Sequence, residues 1–110
     1  MSTEGASAFQ REMDESMMRM MQDMHRPGYV GQADIDFLAM MIPHHAGAVD
    51  MARLVLQHGR DPATRQLAEE IIAGQTIEIE SMTRRLAALR QRPGAGAAPE
   101  FPSLGGTRGP

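Results

Sequence analysis

The sequence predicts an all-α protein, an antiparallel bundle of three main helices. Apolar residues recur at helical spacing through three long segments, two turn-rich breaks separate them, and no stretch alternates as a strand would. At 110 residues the chain has room for one domain. The helices are expected over about 8–25, 34–58 and 62–92. The 18 residues from Pro93 to Pro110 hold five Gly and four Pro, which predicts a flexible tail over 93–110.

In the first helix, Phe9, Met13, Met17, Met20 and Met24 fall on one stripe, with Met21 beside it and Met18 pointing away. The stripe is made almost wholly of thioethers. Arg26-Pro27-Gly28-Tyr29-Val30-Gly31 ends the helix. Asp34 is the expected N-cap of the second helix, and Gly59 its left-handed terminator. The buried stripe is expected to run Phe37, Met41, His45, Ala48, Ala52, Val55, with Met40, His44, Met51 and His58 in a row along its edge. Pro43 removes an amide donor inside this helix and predicts a kink beside the histidines. Asp61 and Pro62 open the third helix as N-cap and first helical residue. Its apolar face reads Ala68, Ile71, Ile72, Ile79, Met82, Leu86, Leu89, interrupted by Gln75 at the centre and Glu78 on the flank. Three amphipathic helices leave a fourth edge of the bundle open, which a second copy could close as a homodimer.

Composition narrows the chemistry. With no cysteine, disulfides, cysteine-ligated zinc, iron–sulfur clusters and thiol catalysis are excluded. All 11 basic residues are Arg, against 14 acidic residues, so no positive excess points to nucleic acid. No apolar run approaches the roughly 20 residues of a membrane span. The outlier is methionine: 11 residues, about four times average usage, beside only four aromatic residues.

The densest chemistry is Met40-Met41-Ile42-Pro43-His44-His45. On a helix, Met40 stacks under His44 and Met41 under His45, so each pair offers one sulfur and one nitrogen. Thioether is a soft, neutral ligand that suits Cu(I) and silver; imidazole suits copper in either oxidation state. Met51 extends the first pair, and Met82 could approach from the third helix. Met13, Met17, Met20, Met21, Met24 and His25 are further candidate ligands on the first helix. Methionine at helical spacing is commonly core filler. Yet the first helix uses Met at nearly every apolar position and contains no Leu, Ile or Val. His25 and His58, at helix ends, also suit the negative end of the helix dipole. No Glu is followed three residues later by His, so the paired Glu-x-x-His pattern of di-iron bundles is missing.

The run Asp36-Phe37-Leu38-Ala39-Met40-Met41-Ile42-Pro43-His44-His45-Ala46-Gly47-Ala48-Val49-Asp50-Met51-Ala52, followed by Ile71-Ile72-Ala73-Gly74-Gln75-Thr76-Ile77-Glu78-Ile79-Glu80-Ser81-Met82, resembles the domain of unknown function 305 family, which includes the CopM-like copper metallochaperones. The resemblance covers about residues 34–89. It implies a ferritin-like helical bundle, periplasmic or secreted, that binds mainly Cu(I) for resistance or delivery. Its motif positions fall on Met40, Met41, His44, His45, Met51, Gln75, Glu78 and Met82. An aromatic residue common after the last motif methionine is replaced by Thr83-Arg84-Arg85-Leu86, and no signal peptide begins the sequence.

The expected function is therefore copper binding without catalysis, as a Cu(I) store or metallochaperone that hands the ion to an accepting protein. Met40, Met41, His44, His45, Met51 and Met82 are the expected ligands, with Gln75 and Glu78 orienting an imidazole from behind. Two other readings use the same residues: a structural or protein-interaction bundle without metal, and a redox metalloprotein.

Overall fold

The structure, a computed structural model, describes the backbone of residues 3–92 and the side chains of residues 7–92. The tail expected over 93–110 lies outside the described residues. Three helices account for the fold: α1 Thr3–His25, α2 Ala33–His58 and α3 Pro62–Gln91. The all-α expectation holds, and two helices begin earlier than expected. Thr3 to Ser7 carries no apolar stripe, so periodicity gave no sign of the first turns of α1.

The start of α2 is built differently from the expected Asp34 cap. Gln32 occupies the cap position in extended backbone with no side-chain cap bond, and Asp34 lies inside the first turn. It is Asp36 that holds the preceding loop. One carboxylate oxygen accepts the Val30 amide at 2.9 Å and the other the Gly31 amide at 3.2 Å. Asp34 and Asp36 both place negative charge at the positive end of the helix. The loop turns on Gly28 and Gly31, whose φ values of 68° and 90° disfavour any residue with a Cβ.

α2 runs unbroken through Pro43. It ends at Gly59, which is extended (φ −81°, ψ 158°) and not left-handed as expected. Only residues 59–61 separate α2 from α3, so the chain must extend at once to reverse direction. Glycine serves there for closeness: a Cβ would lie 2.7 Å from the Val55 carbonyl oxygen. Arg65, from the next helix, caps the end of α2 by donating to the carbonyls of Leu56 (2.6 Å) and Gly59 (3.0 Å). The expected start of α3 is observed. Asp61 accepts from the Thr64 amide at 2.9 Å and the Thr64 hydroxyl at 2.7 Å, with Pro62 in the first turn.

α2 is the central element. It packs antiparallel on α1 and on α3, while α1 and α3 do not touch each other among the described residues. On the α1 side, His58 reaches Glu12 and Met20 seats on Gly47. On the α3 side, Ile35 and Ala39 bury against Leu86, flanked by Leu38, Ile42 and Leu89. His45 meets α3 and Gly47 meets α1; two positions at about 100° per residue put them about 200° apart around the helix. The three helices therefore lie as an open layer with α2 in the middle.

That arrangement corrects the expected stripes. A helix clamped on two opposite sides buries two narrow strips, and α2 buries Ile35, Ala39, Gly47, Val49 and Ala52. Of the expected stripe only Ala52 is fully buried, and Phe37 is 59% exposed. In α3, Ala68 and Leu86 are buried as expected, while Ile71 lies open to solvent. In α1, Phe9, Met13, Met20 and Met24 are half-buried, whereas Met17 joins Met18 and Met21 in solvent. The most deeply buried side chain is Ser16, at the α1–α2 seam.

Candidate metal centre

The sequence motif occupies the middle of α2, where the helix faces both neighbours. His45 turns toward α3. Its Nδ1 lies 3.0 Å from the Met41 carbonyl oxygen and its Nε2 lies 2.6 Å from Glu78 Oε1. A carbonyl oxygen only accepts, so Nδ1 carries a hydrogen and Nε2 is the nitrogen with a lone pair to offer. Glu78 thus sits at the coordinating end of the ring, and both contacts are satisfied together when the ring carries two hydrogens. The His45 side chain is 12% exposed and that of Glu78 61% exposed. Glu78 has solvent into which to swing away from Nε2.

Antiparallel pairing sets the rest of this seam. One turn before His45 on α2 is Met41, and one turn after Glu78 on α3 is Met82. The His45–Glu78 contact therefore brings Met41 and Met82 to one level, both half-buried. Gln75, also half-buried, stands one turn away on the other side of Glu78. His44 is exposed, its ring centroid 5.9 Å from that of His45 and tilted by 59°.

The remaining expected ligands lie elsewhere on α2. Met40 faces the end of α1, lining a pocket with Met24 and His25. Met51 falls on the same helical row as Met40 and Gly47, hence toward α1. The six expected ligands therefore divide: Met41, His45 and Met82 belong to the α2–α3 seam, Met40 and Met51 to the α1 side, and His44 to the open surface between. Among the described residues no three His, Asp or Glu side chains converge, so a three-ligand centre built from them must recruit thioethers.

Three side chains with structural or site roles carried no sequence signal. Glu12 receives His58 Nε2 at 2.8 Å, and Phe9 meets the same imidazole edge-on at a centroid distance of 5.7 Å. His58 thus ties α1 to α2 in addition to standing in the last turn of its helix. Asp36 reads as one more surface acid until the loop it holds is seen. Ser16 interrupts a methionine stripe, and its buried hydroxyl has no hydrogen-bond partner.

Residues 1–93 match the profile of the family described as Domain of unknown function (DUF305). The chain belongs to that family. The DUF305 match spans both the motif and the Met-rich first helix. Over 49 residues it is 41% identical to uncharacterized protein L153 of Acanthamoeba polyphaga mimivirus, a stretch that is 44% of this chain and 32% of the viral protein. The chain thus corresponds to about a third of that relative's length. No helix among the described residues is long and apolar enough to cross a membrane.

Proposed function

We propose that this protein binds Cu(I) as cargo, sequestering it or handing it to a copper-accepting protein, and catalyses no reaction. The observation that carries the reading is the placement of methionine. Packing accounts for thioethers that are buried, yet Met17, Met18 and Met21 are 41%, 63% and 55% exposed on α1. Leu would serve a core equally well, and a charged residue would serve an exposed position better. What an exposed or half-buried thioether adds is a soft donor that needs no deprotonation. At the α2–α3 seam, Met41, Met82 and the His45 ring supply two sulfurs and a nitrogen, and His44 offers a second imidazole beside them. Glu78 orients His45 when the ion is absent and yields Nε2 when it arrives. Exchange is fast because thioethers are weak neutral ligands and no cysteine clamps the ion. Silver(I), with the same preference, is a competing cargo. The family resemblance supports a ferritin-like bundle working in the periplasm or outside the cell.

A second reading is favoured by a separate observation. Phe37, Ile71, Leu67 and Ile77 are 59%, 43%, 59% and 67% exposed in addition to the α1 methionines. Apolar groups of this size suit a protein partner, and a second copy forming a homodimer is the simplest one. X-ray absorption on the anaerobically Cu(I)-loaded full chain separates the two. Copper binding at the seam predicts a sulfur-dominated shell with a nitrogen component that weakens in a His44→Ala, His45→Ala variant. A shell unchanged by that variant removes histidine from the site, and failure to load copper leaves the interaction reading.

A further inference from the structure

The end of α1, the loop after it and the first half of α2 enclose a small pocket of about 30 Å³. Its walls include Met24 and His25 from the last turn of α1, Tyr29 from the loop, and Asp36 and Met40 from α2. We propose that this pocket is a separate soft-metal site, in which Met24, Met40 and His25 hold one Cu(I) or Ag(I) ion. The proposal rests on the cuprous-cargo reading and adds a second location to it.

Size, donor chemistry and rigidity argue together. The volume accommodates an ion or a water molecule. The hard anionic group in the wall is already engaged, since the Asp36 oxygens accept the Val30 and Gly31 amides. No hydrogen bond or ion pair engages the His25 imidazole among the described residues, and thioethers need none. The open side-chain donors are therefore two thioether sulfurs, one imidazole and the Tyr29 phenol, and the sulfur pair beside the imidazole suits Cu(I) and Ag(I) and poorly suits Zn²⁺ or Mg²⁺. The cradle is also stiff. Asp36 fixes the loop from one side, the Gly28 amide donates to the His25 carbonyl at 3.2 Å, and Gly28 and Gly31 hold left-handed backbone. A rigid loop at the end of a helix keeps His25 beside Met24, where a frayed terminus would not.

Tyr29 supplies the test. The chain has one Tyr and no Trp, so its intrinsic emission comes from Tyr29, which is 79% exposed at the rim of this pocket. The experiment titrates Ag(I), which is redox-inert, into the full-length wild type, into Met24→Leu, His25→Gln, and into His44→Ala, His45→Ala. Emission and metal bound in competition with a coloured chelator are read together, and circular dichroism verifies helicity. The expected result is an emission change that saturates near one equivalent in the wild type and in the His44, His45 variant. In Met24→Leu, His25→Gln that change disappears and one equivalent of bound silver is lost. Methyl resonances of Met40 give a second readout: they shift on silver addition in the wild type and stay fixed in the Met24, His25 variant. If the wild type binds silver with constant Tyr29 emission and unmoved Met40 methyls, the pocket site is overturned while metal binding elsewhere stands. If the wild type withdraws no metal from the chelator, the pocket site and the cargo reading fail together.

Discussion

Two glycines inside helices make opposite predictions from one kind of substitution. At Gly47 an added Cβ would overlap the Met20 side chain, meeting Sδ, Cγ and Cβ, because Met20 of α1 seats directly on the α2 backbone. At Gly74 an added Cβ meets nothing within 4 Å. Replacing a helix-interior glycine by alanine contributes about 1 kcal/mol of stability through backbone entropy. Gly74→Ala should therefore stabilise by about that amount. At Gly47 the same gain is opposed by overpacking, which costs about 1–3 kcal/mol. The overlap reaches the Met20 Cβ as well as its flexible end, so rotating the thioether cannot relieve it and the helices must part. Gly47→Ala should then fall below wild type by up to about 2 kcal/mol. At about 4–8 °C per kcal/mol for a domain of this size, thermal denaturation followed by circular dichroism resolves the two variants. Adding Met20→Ala to Gly47→Ala should recover part of the loss, a coupling expected only of touching residues. Gly47→Ala stabilising as much as Gly74→Ala would show that Met20 does not seat on Gly47 and refute the described α1–α2 register.

Three further predictions concern single side chains. Ser16→Ala removes a buried hydroxyl that has no partner and introduces a better helix former, so stability should rise by about 1 kcal/mol; a loss in urea denaturation would reveal a bond to that hydroxyl. The hydrogen bonds from the Thr64 hydroxyl, and then its amide, hold the Asp61 carboxyl below its ordinary value of 3.8. A carboxyl lowered on folding stabilises above its unfolded value and loses that contribution as pH falls through the folded one. Asp61→Ala should therefore lower the melting temperature at neutral pH, with the deficit shrinking below about pH 3.8, and a deficit independent of pH would contradict the cap. Glu78→Gln removes the carboxylate that competes for His45 Nε2, so Cu(I) affinity should hold or rise at neutral pH and the ring should become less restrained. A marked fall in affinity would instead place Glu78 on the metal.

The helix count, the antiparallel order and the Asp61–Pro62 start of α3 were legible because they depend on local rules: periodicity, turn formers and capping chemistry. The cap at Gln32 and the extended Gly59 were not, since both are settled by how short connections are tethered. Asp36 and Arg65 do that tethering from a distance of several residues. The buried stripe of α2 was misplaced for a tertiary reason. A wheel finds one broad apolar arc, and only the positions of α1 and α3 reveal that two opposite strips are used instead. The same geometry explains the candidate site. The i, i+4 spacing of Met41 with His45 and of Glu78 with Met82 is visible in the sequence, but that both pairs fall at one level of the seam depends on the His45–Glu78 contact. That Met40 would turn away toward Met24 and His25 depends on where the loop over 26–32 closes, which no spacing encodes.

The central claim is that thioethers and imidazoles of this chain hold Cu(I), and its most direct test is an anaerobic competition titration against a coloured cuprous chelator at neutral pH. The wild type is expected to withdraw copper, and the His44→Ala, His45→Ala variant is expected to lose much of that affinity. A wild type that leaves even a weak chelator fully loaded would contradict the account.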